Sequence, residues 1–331
     1  MKIAIVILNY NGVELLKRFL PKLIDCSEGE DIYVIDNASS DQSLDLLSDQ
    51  FPGVKQIELD QNYGYAGGYN KGLSQIDATH FCLLNSDVEV SPNWLQPVIE
   101  TFSKSETTAI IQPKIRAIRQ RNHFEYAGAS GGFLDAYGYA FCRGRIFDNC
   151  EIDQGQYDEP IDISWAGGAC FFIKASTFED LGGFDIDYFA HYEEIDLCWR
   201  AKNKGLGIKV VPSSVVFHLG GATLSHEDTF KTYLNYRNSL FTLYKNLPNK
   251  NLIPRLFIRM LLDGISGLRF LLKGQLKSFL AIIKAHFAFY LAMPKLHRKR
   301  LENPNRNENY FREKSIVWAY FVKGIGKFSS L

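Results

Sequence analysis

Three short polar segments each end or follow an apolar run, and together they could form a ligand site. Asn9-Tyr10-Asn11 follows the first apolar run, Asp36 ends the second, and Asn85-Ser86-Asp87 follows the fourth. In open α/β sheets, ligands bind outside the carboxyl ends of the strands. One polar end would mean little because loops are polar anyway, but three at one crevice predict a site. A carboxylate there suits a hard cation such as Mg²⁺ or Mn²⁺.

A second chemical group is the acid-rich segment Tyr192-Glu193-Glu194-Ile195-Asp196. A positioned carboxylate can act as a general base and take the proton of a hydroxyl group. The alternative is that these acids lie in the first turn of a helix, where the helix dipole favours them. Both interpretations can hold, because a helix start also holds a base rigidly.

The first 105 residues alternate between strand and helix patterns. Apolar runs predict strands at residues 3–8, 31–36, 54–59 and 79–84, and the spacing predicts helices at 13–24, 40–47 and 65–74. Such alternation is typical of an α/β domain with a mostly parallel sheet. The polar segments above would then lie at one edge of that sheet.

The pattern changes after about residue 105. Residues 106–174 are richer in short strands, glycines and aromatic residues, which predicts a mixed-sheet second half fused to the first. A helix is predicted over 193–204, a strand over 210–218, and helices from Ser225 to the end. The six cysteines are scattered without a CxxC pair, as in a cytosolic protein with reduced thiols.

Eight segments in this order resemble glycosyltransferase family 2, whose members have the GT-A fold. They are ILNYNG (7–12), VIDNASSD (34–41), QNYGYAGGYNKG (61–72), LLNSDV (83–88), AGGACFFI (166–173), GGFD (182–185), YEEIDLCWR (192–200) and FHLGGAT (217–223). Within this family, the segments are most similar to the bacterial rhamnosyltransferase-like branch.

The resemblance implies a GT-A domain over residues 1–240, with a Rossmann-like nucleotide-sugar-binding half (1–105) and a mixed-sheet acceptor half (106–240). Residues 241–331 would form a helical extension. The implied reaction is inverting, metal-dependent transfer of a sugar from dTDP-rhamnose or a UDP-hexose to an acceptor hydroxyl. A sugar-nucleotide pyrophosphorylase and a non-catalytic glycan- or lipid-binding protein on the same fold are the alternatives.

The resemblance also assigns a donor-binding site, in which the Asp36 carboxylate accepts the N3–H of uracil or thymine. The alternative for Asp36 is a turn or helix-capping aspartate. The first aspartate of the family's DxD motif is replaced by Asn85, which can hydrogen-bond the donor but brings no charge. The full set of expected donor-binding residues is Asn9, Tyr10, Asp36, Asn62, Gly64, Asn70 and Asn85.

The same resemblance implies a metal site at Asp87 and His218, holding Mg²⁺ or Mn²⁺. The alternatives are a turn carboxylate for Asp87 and a satisfied core residue for His218. A divalent cation there would absorb the charge that develops on a diphosphate leaving group.

The family places its catalytic base at the position of Glu194, with Glu193 as the alternative. The expected acceptor-binding residues are Trp165, Gly167, Gly168 and Asp196. A core tryptophan is an equal interpretation of Trp165, and a buried helix contact is the alternative for Asp196.

The C-terminal region is basic and apolar at once, since residues 245–331 hold 17 Lys and Arg against 4 Asp and Glu. Such composition suits helices in a membrane interface, and Lys295 with the segment 297–300 could meet anionic lipid at ~1 kcal/mol per charge. No run of eighteen uncharged apolar residues exists, so a clean membrane span is not expected. A helical subdomain or a homodimer interface is the alternative; nucleic acid is disfavoured because the region is so apolar.

These features predict a peripheral protein on the cytoplasmic face of the membrane, without a signal peptide. Its expected partners are a nucleotide-sugar donor and a glycan or lipid-linked glycan acceptor.

Overall fold

The computed structural model describes residues 1–220 and 229–331. Residues 221–223 of the FHLGGAT segment and the predicted helix start after Ser225 lie outside the described residues.

The first half alternates strands and helices as predicted, because continuous apolar runs form strands that are covered on both faces. Its elements are β1 (Ile3–Asn9), α1 (Val13–Cys26), β2 (Asp31–Asp36), α2 (Ser43–Gln50), β3 (Lys55–Glu58), α3 (Gly64–Leu73) and β4 (His80–Leu84). The four strands are parallel in the order β4-β1-β2-β3.

The second half continues the same sheet. Its elements are β5 (Val88–Val90), α4 (Gln96–Lys104), β6 (Thr108–Ala117), β7 (Gly132–Leu134), β8 (Ala140–Cys142), β9 (Arg145–Ile146), β10 (Asn149–Cys150), β11 (Ile161–Asp162), β12 (Cys170–Lys174), α5 (Ala175–Asp180), α6 (Glu193–Asn203) and β13 (Gly207–His218). β12 runs antiparallel between β4 and β6, and β13 pairs in parallel with β6, so the sheet is mixed as predicted. Strands β7 to β10 form a second, small antiparallel sheet.

Two apolar clusters cover the two faces of the main sheet. Alternate residues of β1 show the division, since Ile5 packs with α1 and α4 on one face and Val6 packs with α3 and α6 on the other. The α/β fold with a parallel first half and a mixed-sheet second half is therefore confirmed.

Residues 229–331 contain four α-helices: α7 (Thr229–Asn246), α8 (Asn249–Leu272), α9 (Leu276–Glu302) and α10 (Ile316–Phe321). The predicted boundary after residue 240 falls inside α7, which packs against α6 and α9. Continuous helix to the chain end is wrong for residues 303–315 and 322–327. Tyr310 in that stretch stacks on Trp199 of α6, with ring centroids 4.8 Å apart.

The basic cluster on α9 is bound largely within the protein. Lys299 contacts Asp185 and lies 2.8 Å from Asp187, and the Arg300 guanidinium donates 2.6 Å bonds to the carbonyls of Tyr244 and Leu247. The lipid contact predicted for this cluster is therefore wrong for Lys299 and Arg300, because internal carboxylates and helix-end carbonyls use their charge.

Candidate active site

The carboxyl ends of β1 and β2 bring Asn9 and Asp36 together, because the two residues are paired in the parallel register. Asn9 Nδ2 donates to one Asp36 carboxylate oxygen at 3.1 Å, and the backbone N–H of Ser39 donates to the other at 2.8 Å. Asn9 and Asp36 are buried, and Asn9 Oδ1 has no hydrogen-bond partner. Tyr10, the next residue, is half exposed beside them.

The glycine-rich start of α3 is held by amide side chains. Asn62 Oδ1 accepts hydrogen bonds from Asn37 Nδ2 at 3.0 Å and from Gly64 N at 2.8 Å. Gly64 has a φ of +69°, and a Cβ there would lie 2.6 Å from the Phe189 ring. Only glycine fits this position, so Asn62 and Gly64 shape the loop that leads into α3 within the first half of the chain.

Asn70, also expected to bind the donor, is committed to the backbone of another segment. Its Nδ2 donates to Phe184 O at 2.8 Å, and its Oδ1 accepts from Phe184 N at 2.9 Å. The donor-binding role predicted for Asn70 does not fit this geometry, because both ends of its amide already hold the GGFD segment.

Asp87 and His218 meet because β5 pairs antiparallel with the end of β13. Asp87 Oδ1 lies 3.1 Å from His218 Nε2, and Glu125 Oε1 lies 3.2 Å from His218 Nδ1. Burial alone would lower the pKa of His218, but the two carboxylates outweigh it and raise that pKa to about 10. All three side chains are buried.

This pair fits a divalent cation. Two atoms that each bind one cation at about 2.1 Å on adjacent coordination positions lie about 3 Å apart, as Asp87 Oδ1 and His218 Nε2 do. Glu125 Oε1 lies behind the imidazole, 3.2 Å from Nδ1 but without a hydrogen bond to it, at the place from which carboxylates commonly orient metal-bound histidines. Among the described residues, no three His, Cys, Asp or Glu side chains form a metal-binding group, so donor phosphates and water would complete the shell.

The two glutamates at the start of α6 differ in environment. Glu193 is 4% exposed, whereas Glu194 is partly exposed. Burial, and then the charge of Glu194, raise the pKa of Glu193 well above its usual range. Burial raises the pKa of Glu194 to about 7, although backbone N–H groups of the first turn lower it in part. Each carboxylate keeps one buried oxygen, Oε2, without a hydrogen-bond partner.

Gly167 and Gly168 form a tight floor next to Glu194. A Cβ on Gly167 would lie 2.4 Å from Ala127 O, so only glycine fits. A Cβ on Gly168 would lie 3.7 Å from Glu194 Cδ, and the Tyr65 hydroxyl donates to Gly168 O at 2.9 Å. Gly168 therefore lies directly against the Glu194 side chain.

Short contacts connect Gly167 and Gly168 to the pair Asp87–His218. Glu125, beside His218, accepts a hydrogen bond from Ala127 N, and Ala127 packs on Gly167. Asn85, two residues before Asp87, donates its backbone N–H to Ala169 O at 3.0 Å. Glu194 and the pair Asp87–His218 thus flank one junction between β4 and β12.

Two residues expected at the acceptor lie elsewhere. Asp196 is completely buried and accepts bonds from Arg200, Lys245 and Asn246 at 2.8–2.9 Å. The Trp165 indole is 4% exposed and donates to Phe133 O at 2.9 Å. Acceptor binding does not fit either residue: Asp196 makes the buried helix contact and Trp165 is a core tryptophan.

Sequence reasoning missed Glu125, Ser39 and Asn37. Glu125 lies in an aromatic, glycine-rich stretch that signalled strands only. The second nitrogen of a metal-binding histidine needs a partner, but the sequence does not show which of many acids supplies it.

A mixed α/β sheet with carboxylates and a histidine at its polar edge is the architecture of the GT-A fold. Residues 4–181 match the family model described as glycosyl transferase family 2. The chain belongs to this family, and it is a glycosyltransferase that uses nucleotide sugars.

Similar proteins agree with this assignment. The chain is 25% identical to the low-salt glycan biosynthesis hexosyltransferase Agl10 of Haloferax volcanii over 71% of this chain and 73% of that protein. It is 24% identical to the N-acetylglucosaminyl-diphospho-decaprenol L-rhamnosyltransferase of Mycobacterium tuberculosis over 65% and 75%. The resemblance to the rhamnosyltransferase-like branch is thereby confirmed.

Solved structures show the same fold. GalNAc-T7 with UDP, GalNAc and Mn²⁺ superposes with a TM-score of 0.62 at 16% identity, covering 98% of this chain and 57% of that chain. Staphylococcus aureus TarS 1–349 gives a TM-score of 0.54 at 14% identity, covering 98% and 92%.

Proposed function

We propose that this chain transfers a sugar from dTDP-rhamnose or a UDP-hexose to an acceptor hydroxyl with inversion and with the help of Mg²⁺ or Mn²⁺. The observation that carries the proposal is the Glu194 carboxylate, which has a buried, unpartnered oxygen beside Gly168. A carboxylate with a pKa near 7 is well suited to accept a proton at neutral pH.

Each group has a defined task in this proposal. Asp36, oriented by Asn9, accepts the N3–H of the nucleotide base through free lone pairs of its carboxylate. Asp87 and His218 would hold the cation, which supplies positive charge to the leaving diphosphate. Glu194 takes the acceptor proton while the acceptor oxygen attacks the anomeric carbon from the side opposite the leaving group, so the configuration inverts.

A direct test uses purified protein with a panel of UDP- and dTDP-sugars, with Mn²⁺, with Mg²⁺, and with a chelator. We expect donor turnover, with transfer or with water as acceptor, that needs a divalent cation and is lost in Asp87→Ala. Turnover that survives chelation would remove the metal from the mechanism. An absence of turnover with every donor would favour the non-catalytic alternative.

The acceptor is proposed to be a lipid-linked glycan at the cytoplasmic membrane face. Of the described helices, α9 alone has the length and apolarity for a membrane span, and only 22% of its apolar window is buried. Leu272 at the end of α8 and Leu291 on α9 are 80% and 83% exposed. Lys273 and Lys277 lie exposed at the turn between these helices.

Flotation with vesicles tests this placement. We expect binding to vesicles that contain phosphatidylglycerol and weaker binding to pure phosphatidylcholine, with both reduced by a Leu272→Ser, Leu291→Ser double variant. An absence of vesicle binding together with a dimer in light scattering would favour the homodimer interface instead.

A further inference from the structure

We propose that Asn238 on α7 is a positioning residue that holds the loop 186–192 and thereby sets the place of Glu194. This inference rests on the proposed function, because it assigns the base to Glu194. Through Asn238, α7 would then help to position the base, in addition to any role of the C-terminal helices at a membrane.

The loop before Glu193 has an unfavourable backbone. Phe189, His191 and Tyr192 have φ values of 64°, 68° and 73°, in the left-handed region that residues other than glycine rarely adopt. Such conformations persist only when their surroundings determine them, and they concentrate at functional sites. Something outside the loop must therefore hold it.

Asn238 provides that hold. It is completely buried, and its Nδ2 lies 3.0, 2.9 and 2.7 Å from the carbonyl oxygens of Tyr188, Ala190 and His191. Its Oδ1 accepts from Arg237 Nε at 2.8 Å, which fixes the orientation of the amide. One side chain on α7 thus ties together three carbonyls of the strained loop.

The loop also reaches the donor half. Phe189 O accepts the backbone N–H of Tyr65 at 2.8 Å and lies 3.4 Å from that of Ala66, at the start of α3. The Phe189 ring covers Gly64. Because the loop joins α3 at one end and the base at the other, a shift of the loop would change the distance between donor and base.

α7 is itself anchored beside the base helix. Lys245 donates to Asp185 at 2.6 Å and to Asp196 at 2.9 Å, and Asn246 donates to Asp196 at 2.9 Å. These contacts hold α7 at the two ends of the segment 185–196. Loss of Asn238 should therefore free the loop while leaving α7 in place.

The experiment compares Asn238→Ala with the control Ser239→Ala. Ser239 is a neighbouring, 1% exposed residue on α7 that bonds Arg259 of α8 at 2.7 Å and not the loop. With the donor found in the screen above, we expect Asn238→Ala to lower kcat about 50-fold, since small misplacements cost up to about 10²-fold. Its donor KM should stay within about threefold, and Ser239→Ala should keep kcat within about twofold.

A double-mutant cycle separates positioning from general damage. If Asn238 acts through Glu194, Asn238→Ala should add nothing to the loss caused by Glu194→Gln. Losses that multiply in the double variant, or a wild-type kcat in Asn238→Ala, would overturn the inference. Unchanged turnover in Glu194→Gln would instead contradict the proposed function.

Hydrogen exchange needs no substrate and tests the loop directly. Backbone amides of residues 186–194 should exchange faster in Asn238→Ala than in the wild type, and at the wild-type rate in Ser239→Ala. Equal protection of this segment in all three proteins would overturn the inference whatever the activity data show.

Discussion

Two faces of helix α6 present carboxylates that lie only two residues apart and have opposite surroundings. Glu194 faces Gly168 with an unpartnered oxygen, and its pKa is raised to about 7. Asp196 is surrounded by Arg200, Lys245 and Asn246, and despite burial the charges of Lys245 and Arg200 hold its pKa below the usual range. Burial without a charged partner raises the pKa of Glu194, whereas the cationic partners of Asp196 lower its pKa and make it a structural contact.

The largest effect should come from removing the base. Glu194→Gln keeps the shape of the side chain but cannot accept a proton, so kcat should fall about 10³-fold, within the range known for general bases. Donor affinity, measured by titration of UDP with Mn²⁺, should stay within about threefold. A variant with kcat above a tenth of the wild-type value would show that the unpartnered oxygen is not the base.

The opposite face should respond in stability. Asp196→Ala leaves buried Arg200 and Lys245 short of a carboxylate, which should lower the free energy of unfolding by about 3–5 kcal/mol. Urea denaturation measures this loss, and Glu194→Gln serves as the control with a change below about 1 kcal/mol. Equal stability of the two variants would erase the distinction between the two faces.

The sequence could predict one side of this comparison better than the other. Strands and their polar ends follow from apolar runs of neighbouring residues, and the place of Asp36 and Asp87 at one sheet edge follows with them. The partners of Asp196 could not be foreseen, because Lys245 is 49 residues away. The contact of Asn70 with Phe184 could not be foreseen for the same reason, because the two residues are 114 positions apart.

The pH dependence should separate the faces further. With Glu194 as base, kcat/KM should fall about tenfold per pH unit below about 7, because the protonated carboxyl of the free enzyme cannot accept a proton. The groups facing Glu194 are Glu193, Tyr192 and Cys198 from its own helix segment and Tyr65 from α3.

Asp196 has a lowered pKa, so its contribution to stability is present above the unfolded value of 3.8 and is lost only as the pH falls below that value. The pH dependence of the rate is measured at saturating Mn²⁺, and the pH dependence of stability by urea denaturation. Both use pH values from 3 to 8 in steps of about one unit. The range from pH 5 to 8 extends from about two units below the Glu194 pKa to about one unit above it. A rate profile that is flat over this range would contradict the assignment of the base.

The smallest effect is expected for Glu193, the neighbour of the base. Burial, and then the charge of Glu194, raise the pKa of Glu193 well above its usual range, which favours the neutral carboxyl, and the neutral amide of Glu193→Gln resembles that form. The kcat of this variant at pH 7.5, about half a unit above the Glu194 pKa, should therefore stay within about threefold of the wild-type value. Stability should change by less than about 1 kcal/mol, because the amide has nearly the size of the carboxyl and burial already favours the neutral form of that carboxyl. If Glu193→Gln instead loses activity and Glu194→Gln keeps it, the base is Glu193. Glu194, the more exposed of the two carboxylates, would then only line the acceptor site.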